Sequence, residues 1–271
     1  MSRTRVHLTA CLGLVSFLCV SSIARAQVAP TLGVAGQFGA LGHSAVTGST
    51  GSGTQITGDV GSYPTPTISN FPPSLVIAPY TKHVAADGVV QQAQSDARAA
   101  WNFLRGQGGT VLNDNMSTNG IIGPGVYSLG AADQPSSTTL TLNGSGVFIF
   151  NVSSTLTMNT STVMAGSANP CNVYWSVGTS ATLNGTNFMG TVISDASITL
   201  GGGNVVGRLL GGTGATGAVT MTGSGGNTIA GCSSAPVPAM PLWMLACFAT
   251  LLLGVVSLRL RRGAATAAPA V

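Results

Sequence analysis

Short apolar runs alternate with polar residues between Thr138 and Cys232, and glycine, asparagine or serine separates nearly all of them. In several runs apolar side chains alternate with threonine or serine, which is typical of a strand with one buried side. Glycine and asparagine accept the positive φ angles that tight corners need. The runs predict strands at Leu140–Leu142, Val147–Val152, Leu156–Met158, Val173–Val177, Thr182–Leu183, Phe188–Ile193, Ile198–Leu200, Val205–Leu210 and Val219–Met221.

Short strands with tight corners and no helical period predict a mainly β fold, a β-solenoid whose turns stack on one another. A β-sandwich stays open on the pattern alone, because no strict repeat period is visible. Residues 110–134 are expected to form loop and cap material at one end of the solenoid, where an uncovered sheet edge would be prone to aggregation. Five prolines in Tyr63–Pro79 predict an ordered loop there.

One α-helix is predicted over about residues 85–105. Its apolar positions recur at three- and four-residue steps, and glycines from Gly106 onward end it. The stripe is rich in alanine, so the helix can lie close against a flat side of the solenoid. The stripe comprises Ala86, Val90, Ala93, Ala97, Ala100, Trp101 and Leu104.

Both ends of the chain have the composition of targeting segments. Residues 1–26 combine two arginines, an apolar run and a small-x-small site at Ala24-Arg25-Ala26, which predicts a secretory signal peptide. At the other end, residues 233–241 form a proline-rich linker, 242–262 an apolar segment with a basic cluster, and 263–271 a short tail. That order resembles the C-terminal exosortase-type sorting tails of Gram-negative bacteria; a plain transmembrane anchor is the alternative.

The formal net charge of +4 comes from these ends. Between Gln27 and Cys232 four basic residues stand against six aspartates, a net charge of −2, so the basicity is no argument for nucleic acid binding. Two cysteines, Cys171 and Cys232, fall in this part of the chain. In an exported protein they are candidates for a disulfide, with two free buried thiols as the alternative.

The chain lacks the usual signatures of catalysis and of metal binding. His43 and His83 have no second ligand at metal spacing, and no glutamate occurs. The strands after Asp133 carry Asp195 and Arg208 alone as charged residues, for which we expect an ion pair or solvent exposure rather than catalysis. We therefore expect no enzyme activity, no metal and no cofactor.

Threonine is abundant on the predicted strands. Stacked strands lie about 4.7–4.9 Å apart, so threonines on one side would form a flat, uncharged grid of methyl and hydroxyl groups. Such a grid suits ordered water or ice better than a charged or irregular ligand. The alternative for any single threonine is that its β-branched side chain favours strands.

Several motifs in this order resemble the bacterial and fungal ice-binding-protein-like family. The resemblance covers about Leu32 to Cys232, the predicted domain 27–232. It implies an irregular right-handed β-helix of triangular cross-section with one long α-helix packed alongside. The motifs are Leu32-Gly33-x-Ala35-x-x-Phe38, Ile56-Thr57-Gly58-Asp59-Val60-Gly61, Pro124-Gly125-Val126-Tyr127, Phe148-Ile149-Phe150, Cys171-Asn172-Val173-Tyr174-Trp175-Ser176-Val177-Gly178 and Gly207-Arg208-Leu209-Leu210.

The resemblance also implies a function, adsorption to ice through one flat face, often with Thr-Ala/Gly-x-Thr stretches. Thr47-Gly48-Ser49-Thr50 and Thr213-Gly214-Ala215-Thr216 fit that pattern, and Thr179-Ser180-Ala181-Thr182 departs from it at the second position. The expected protein is an exported, extracellular or cell-surface monomer, attached to the membrane by its C-terminal segment before any processing. A surface or biofilm-matrix structural or adhesion module on the same scaffold is the alternative. The candidate ice-binding residues are Ser44, Thr47, Thr50, Thr179, Thr182, Thr213, Thr216 and Thr220.

Overall fold

The computed structural model of the chain describes residues 27–136, 138–185, 187–223 and 226–232. The predicted signal peptide and the C-terminal segments from residue 233 lie outside the described residues. Within the described part of the chain, no helix is both long enough and apolar enough to cross a membrane.

The described residues form short strands, one α-helix (α1) and three 3-10 helices (Gly33–Gln37, Met116–Thr118 and Pro170–Asn172). Every strand predicted after Thr138 is present, with each bound shifted by at most one residue, and the strands at Thr162–Ala165 and Asn227–Ala230 are additional. In chain order the elements are β1 (Phe38–Gly42), β2 (Ala45–Thr47), β3 (Thr54–Thr57), β4 (Asp59–Ser62), β5 (Ile68–Ser69), β6 (Leu75–Val76), β7 (Lys82–His83), α1 (Gly88–Arg105), β8 (Thr110–Val111), β9 (Ile121–Ile122), β10 (Gly125–Leu129), β11 (Ala132–Gln134), β12 (Leu140–Asn143), β13 (Phe148–Val152), β14 (Leu156–Met158), β15 (Thr162–Ala165), β16 (Val173–Val177), β17 (Ala181–Leu183), β18 (Asn187–Ser194), β19 (Ile198–Leu200), β20 (Asn204–Leu210), β21 (Ala218–Met221) and β22 (Asn227–Ala230).

From β8 onward, consecutive strands belong to different sheets, so the chain coils and successive turns stack. One turn, for example, contributes β13 to a twelve-stranded sheet, β14 to a seven-stranded sheet and β15 to a three-stranded sheet. The strand pairs are parallel, as stacking of successive turns requires. In the seven-stranded sheet the spatial order is β11-β14-β17-β19-β21-β2-β5.

The stacking order differs from the order of the sequence. The first turn, β1 to β3, stacks on the last turn, because β1 pairs with β20, β2 with β21 and β3 with β22. Helix α1 follows β7 in the chain and precedes β8, whose pairing with β10 lies at the opposite end of the stack. The helix therefore returns the chain along the side of the stack.

Helix α1 begins at Gly88 because the side chain of Asp87 caps it, accepting a hydrogen bond from the Val89 amide at 2.9 Å. The predicted helix is confirmed, with its first turn starting three residues later than Ala85. Its buried stripe packs on the outer side of the twelve-stranded sheet, which we call the helix-covered face. The apolar contacts there include Leu41, Ile149, Tyr174, Ile193 and Leu210.

The interior of the coil is a continuous apolar core. Phe150 and Trp175 stack with ring centroids 4.0 Å apart, and Phe188 packs against Trp175 at 5.9 Å. Strands β18 and β20 each bend at a glycine, Gly190 and Gly207, and these two glycines are in register. The part of each strand before the bend continues the side of the coil that carries the three-stranded sheet, and the part after it lies on the helix-covered face. Gly207 has a φ of 151°, and a Cβ atom there would overlap the carbonyl oxygen of Gly190, so the bend requires glycine.

Two further sequence predictions concern the proline-rich segment and the cysteines. Tyr63–Pro79 is largely loop and contains the two-residue strands β5 and β6 at sheet edges, where proline is tolerated. Cys171 and Cys232 form a disulfide in the structure, with Cα atoms 5.4 Å apart. The bond joins the 3-10 helix just before β16 to the residue that follows β22 by two positions.

Candidate functional site

The outer surface of the seven-stranded sheet, which we call the threonine face, is formed by short strands, most of which share one sequence pattern. In four of them an apolar residue, a threonine and an apolar residue follow one another, as in Ile198-Thr199-Leu200. Because side chains alternate between the two sides of a strand, the apolar residues enter the core and the threonine points outward. The local sequence therefore dictates one outward hydroxyl for each of these strands.

The strand register aligns these hydroxyl-bearing residues in a single row across the face. Each one is the register partner of the next, and each is half-buried. At about 4.8 Å between strands, the five steps span about 24 Å. Ser69 Oγ donates a hydrogen bond to Thr47 Oγ1 at 3.1 Å at one end of the row. The row consists of Thr157, Thr182, Thr199, Thr220, Thr47 and Ser69.

Small uncharged side chains flank the row on both sides. Two residues before each row position lie Thr155, Ser180, Ser197, Ala218, Ala45 and Thr67, and backbone hydrogen bonds continue between most of these positions. On the other side lie Asn159, Asn184, Gly201 and Thr222. There Asn184 Nδ2 donates to Asn159 Oδ1 at 2.9 Å. The pairings across the face are in continuous register without a bulge, so the surface is flat.

The threonine face is nearly free of charge. Among its seven strands the one ionisable side chain is that of Asp133, on β11 at the edge of the sheet. At the corner beside β2, burial lowers the pKa of the His43 imidazole, which favours its neutral form. An uncharged surface that presents hydroxyl and methyl groups at regular intervals can order water but offers no group for acid–base or nucleophilic chemistry.

The structure brings three of the eight predicted ice-binding residues into the row, namely Thr47, Thr182 and Thr220. Ser44 and Thr179 lie at the corner where the chain enters the threonine face, and Thr50 lies just past β2. Thr216 is exposed in the 211–217 corner loop. In the same loop Thr213 is buried, and its hydroxyl donates to the Ser194 carbonyl at 3.1 Å.

Sequence reasoning did not name Thr157, Thr199 or Ser69 as site residues, although all three lie in the row. The signal that identifies two of them is the recurring apolar–Thr–apolar tripeptide. The Thr-x-x-Thr spacing used for the prediction instead spans a corner: one threonine of the pair lies off the strand in Thr47/Thr50 and Thr179/Thr182, and both do in Thr213/Thr216.

The charged side chains of Arg98, Asp195 and Arg208 lie away from the threonine row and have structural partners. Arg98 Nη1 donates to Asp195 Oδ1 at 2.9 Å and to the Thr213 carbonyl at 2.7 Å, which ties α1 to a corner of the coil. Asp195 thus pairs with Arg98 and not with Arg208. Arg208 is buried and donates to the carbonyls of Gly36 and Cys232. In the described part of the chain, no three His, Cys, Asp or Glu side chains are grouped to hold a metal ion.

Comparison with known proteins places the chain in a family. A family model described as ice-binding-like matches residues 40–227. The chain belongs to the ice-binding-like family. A relative in this family, an ice-binding protein of Nostoc sp. (strain HG1), is 34% identical over 201 residues, which cover 70% of this chain and 71% of that protein.

Ice-binding protein 1 of Shewanella frigidimarina (strain NCIMB 400) is 30% identical over 225 residues, which cover 67% of this chain and 24% of that protein. This member of the ice-binding-like family therefore spans about a quarter of the length of its Shewanella relative.

Solved structures share the fold. An ice-binding protein from an Antarctic biological consortium superposes with a TM-score of 0.66 at 33% identity, covering 75% of this chain and 91% of that one. One from the Antarctic ascomycete Antarctomyces psychrotrophicus gives 0.61 at 32% identity, covering 75% and 98%. The fold of this family member is thus mainly β with parallel sheets and one helix.

Proposed function

We propose that this protein binds ice through the threonine face and thereby limits the growth or recrystallisation of ice crystals. The observation that carries the proposal is the in-register row of hydroxyl-bearing residues from Thr157 to Ser69. Membership of the ice-binding-like family and the similarity to an ice-binding protein of Nostoc support it.

The physical basis is the match between a regular surface and a regular solid. Each threonine presents a methyl group beside a hydroxyl, and water next to the methyl group loses orientational freedom while the hydroxyl fixes its position. Rigid parallel strands repeat this unit at about 4.8 Å. Many weak, equally spaced contacts then act together, and none of them requires removal of a charge from water.

The proposed contact surface is the row together with its flanking small residues. The centre of this surface is the row itself, Thr157, Thr182, Thr199, Thr220, Thr47 and Ser69. Ser44, Thr50, Thr179 and Thr216 lie at its margins and would contact ice less regularly. Thr213 would act indirectly, by holding the corner loop through its bond to the Ser194 carbonyl.

For the whole chain we propose a right-handed β-helix of triangular cross-section, made as an exported monomer without enzymatic activity. Residues 1–26 would direct export, and residues 233–271 would anchor or sort the protein at the surface of a Gram-negative cell. An ice-binding domain in that position would act on extracellular ice.

The test is an ice recrystallisation assay on Thr199→Tyr, with Thr141→Tyr as the matched control. Thr199 lies in the middle of the row, and a tyrosine there projects from the plane and separates its neighbours from the ice. Thr141 lies in the same sequence context, between two leucines on β12, but on the three-stranded sheet. We expect Thr199→Tyr to need at least about tenfold more protein for the same inhibition, equivalent to about 1.4 kcal/mol of adsorption free energy.

Thr141→Tyr should inhibit like the wild type. Equal inhibition by both variants and the wild type would move the site to another surface. If the folded wild type itself gave no inhibition, the scaffold would act instead as a surface or matrix module.

A further inference from the structure

Asp133 occupies the next position in the row of the threonine face. It lies on β11 in register with Thr157, and its side chain is exposed. Beyond it, Asn115 of the end cap forms one further parallel bridge. The row of hydroxyl groups therefore ends where a carboxylate begins, although the strand continues the same flat surface.

The carboxylate of Asp133 has no structural partner, in contrast to the other aspartates. Its backbone amide donates to the Asp114 carbonyl at 2.8 Å, but its side chain forms no hydrogen bond or ion pair with any described residue. The fold therefore does not need this charge. The other five carboxylates accept hydrogen bonds: Asp59 from Thr81, Asp87 from His83 and Val89, Asp96 from Val34, Asp114 from Gly130 and Ala131, and Asp195 from Arg98.

A carboxylate has a strong effect on the water above it. It accepts several hydrogen bonds from water, all with the water protons turned toward it, and removing that hydration is costly. Water in ice must donate and accept in fixed directions to its neighbours. A carboxylate only accepts hydrogen bonds and keeps its own hydration shell. It therefore interrupts the ice-like order of the water that the neighbouring hydroxyls support.

We propose that Asp133 sets the boundary of the ice contact, so that the turn carrying β11 is excluded and adsorption uses the six positions from Thr157 to Ser69. The inference rests on the proposed function. It assigns Asp133 as the residue that determines the extent of the site. A threonine at this position would add a seventh hydroxyl at the same interval.

The experiment compares Asp133→Thr, Asp133→Asn and Asp133→Glu with the wild type in the recrystallisation assay. Asp133→Thr should lower the protein concentration needed for half inhibition by about two- to fivefold, because one surface contact is gained. Asp133→Asn should give a smaller gain, and Asp133→Glu, which keeps the charge, none. Gln55→Thr is the matched control, since it adds a threonine at an exposed strand position outside the threonine face.

Two results would overturn the inference. One is unchanged or weaker inhibition by folded Asp133→Thr, as checked by its circular dichroism and melting temperature; the other is an equal gain in Gln55→Thr. Thr199→Tyr, run in the same assay, distinguishes a failure of this inference from a failure of the proposed function. If Thr199→Tyr loses inhibition while Asp133→Thr gains none, this inference fails alone; if Thr199→Tyr keeps full inhibition, the proposed function of the face fails with it.

Discussion

At the scale of single residues, the position of a threonine decides what its hydroxyl does. Thr199 points outward from the threonine face, Thr191 is buried on the helix-covered side, and Thr213 turns its hydroxyl to a backbone carbonyl. The threonine-rich pattern predicted a hydroxyl surface. It could not assign each threonine to that surface, because the assignment depends on where each corner ends and the next strand begins.

Tyr174 supplies a prediction at this scale. Burial raises the pKa of its phenol, against a smaller opposite effect of the Arg208 charge. The folded state holds the phenolic proton more tightly than the unfolded state, so this stabilising contribution is complete below the ordinary pKa of about 10 and is lost as the pH rises through the folded value. We expect the free energy of unfolding to fall above about pH 10.

Urea unfolding at a series of alkaline pH values measures this fall, and Tyr174→Phe should remove part of it. Tyr127, whose pKa burial also raises, would account for a remainder. An identical alkaline loss in Tyr174→Phe would show that the ionisation of Tyr174 is not responsible.

At the scale of elements, α1 is held on the coil by a buried amide as well as by its alanine stripe. Asn151 Nδ2 donates to the carbonyls of Leu104 and Gln107 at 2.9 and 3.0 Å, and its Oδ1 accepts from Ser176 Oγ at 2.6 Å. The Leu104 carbonyl, in the last turn of the helix, also accepts from the Gln107 amide at 3.1 Å. The Asn151 amide adds a second bond to it and one to the Gln107 carbonyl just past the helix end. The helix itself followed from its apolar period, whereas this cap involves residues 47 and 44 positions apart and has no local signal.

We expect Asn151→Ala to lower the free energy of unfolding by about 1–3 kcal/mol, because the Gln107 carbonyl and the Ser176 hydroxyl lose a partner and the Leu104 carbonyl keeps only its bond from the Gln107 amide. Urea denaturation measures the change. Asn187→Ala, at an exposed strand position, should stay within about 0.5 kcal/mol of the wild type. A loss in Asn151→Ala no larger than in this control would mean that the amide does not hold the helix.

At the scale of the whole molecule, the coil closes between segments that are distant in sequence. The strand pattern predicted stacked turns, and it predicted nine of the eleven strands that the structure describes after Thr138. It did not reveal that β2 stacks on β21, which places Thr47 beside Thr220 and extends the row by two positions. Strand pairing across 173 residues leaves no trace in local periodicity, so the length of the candidate site could be known only from the fold.

The disulfide makes a prediction at this scale. Cys171 and Cys232 are 61 residues apart, and closing a loop of that length stabilises the folded state by about 4 kcal/mol in the chain-entropy model. Replacing both cysteines by serine should therefore lower the free energy of unfolding by about that amount. Ice activity near 0 °C should persist, since neither cysteine lies on the threonine face. Loss of ice activity in a folded double variant would contradict this separation of stability from binding.

Partition of the protein between growing ice and the remaining liquid tests the central claim most directly. A polycrystalline ice shell is grown slowly from solutions of wild type, Thr199→Tyr and Thr141→Tyr, and the protein in each phase is measured. We expect wild type and Thr141→Tyr to enter the ice and Thr199→Tyr to stay in the liquid. Equal incorporation of Thr199→Tyr and wild type would contradict it.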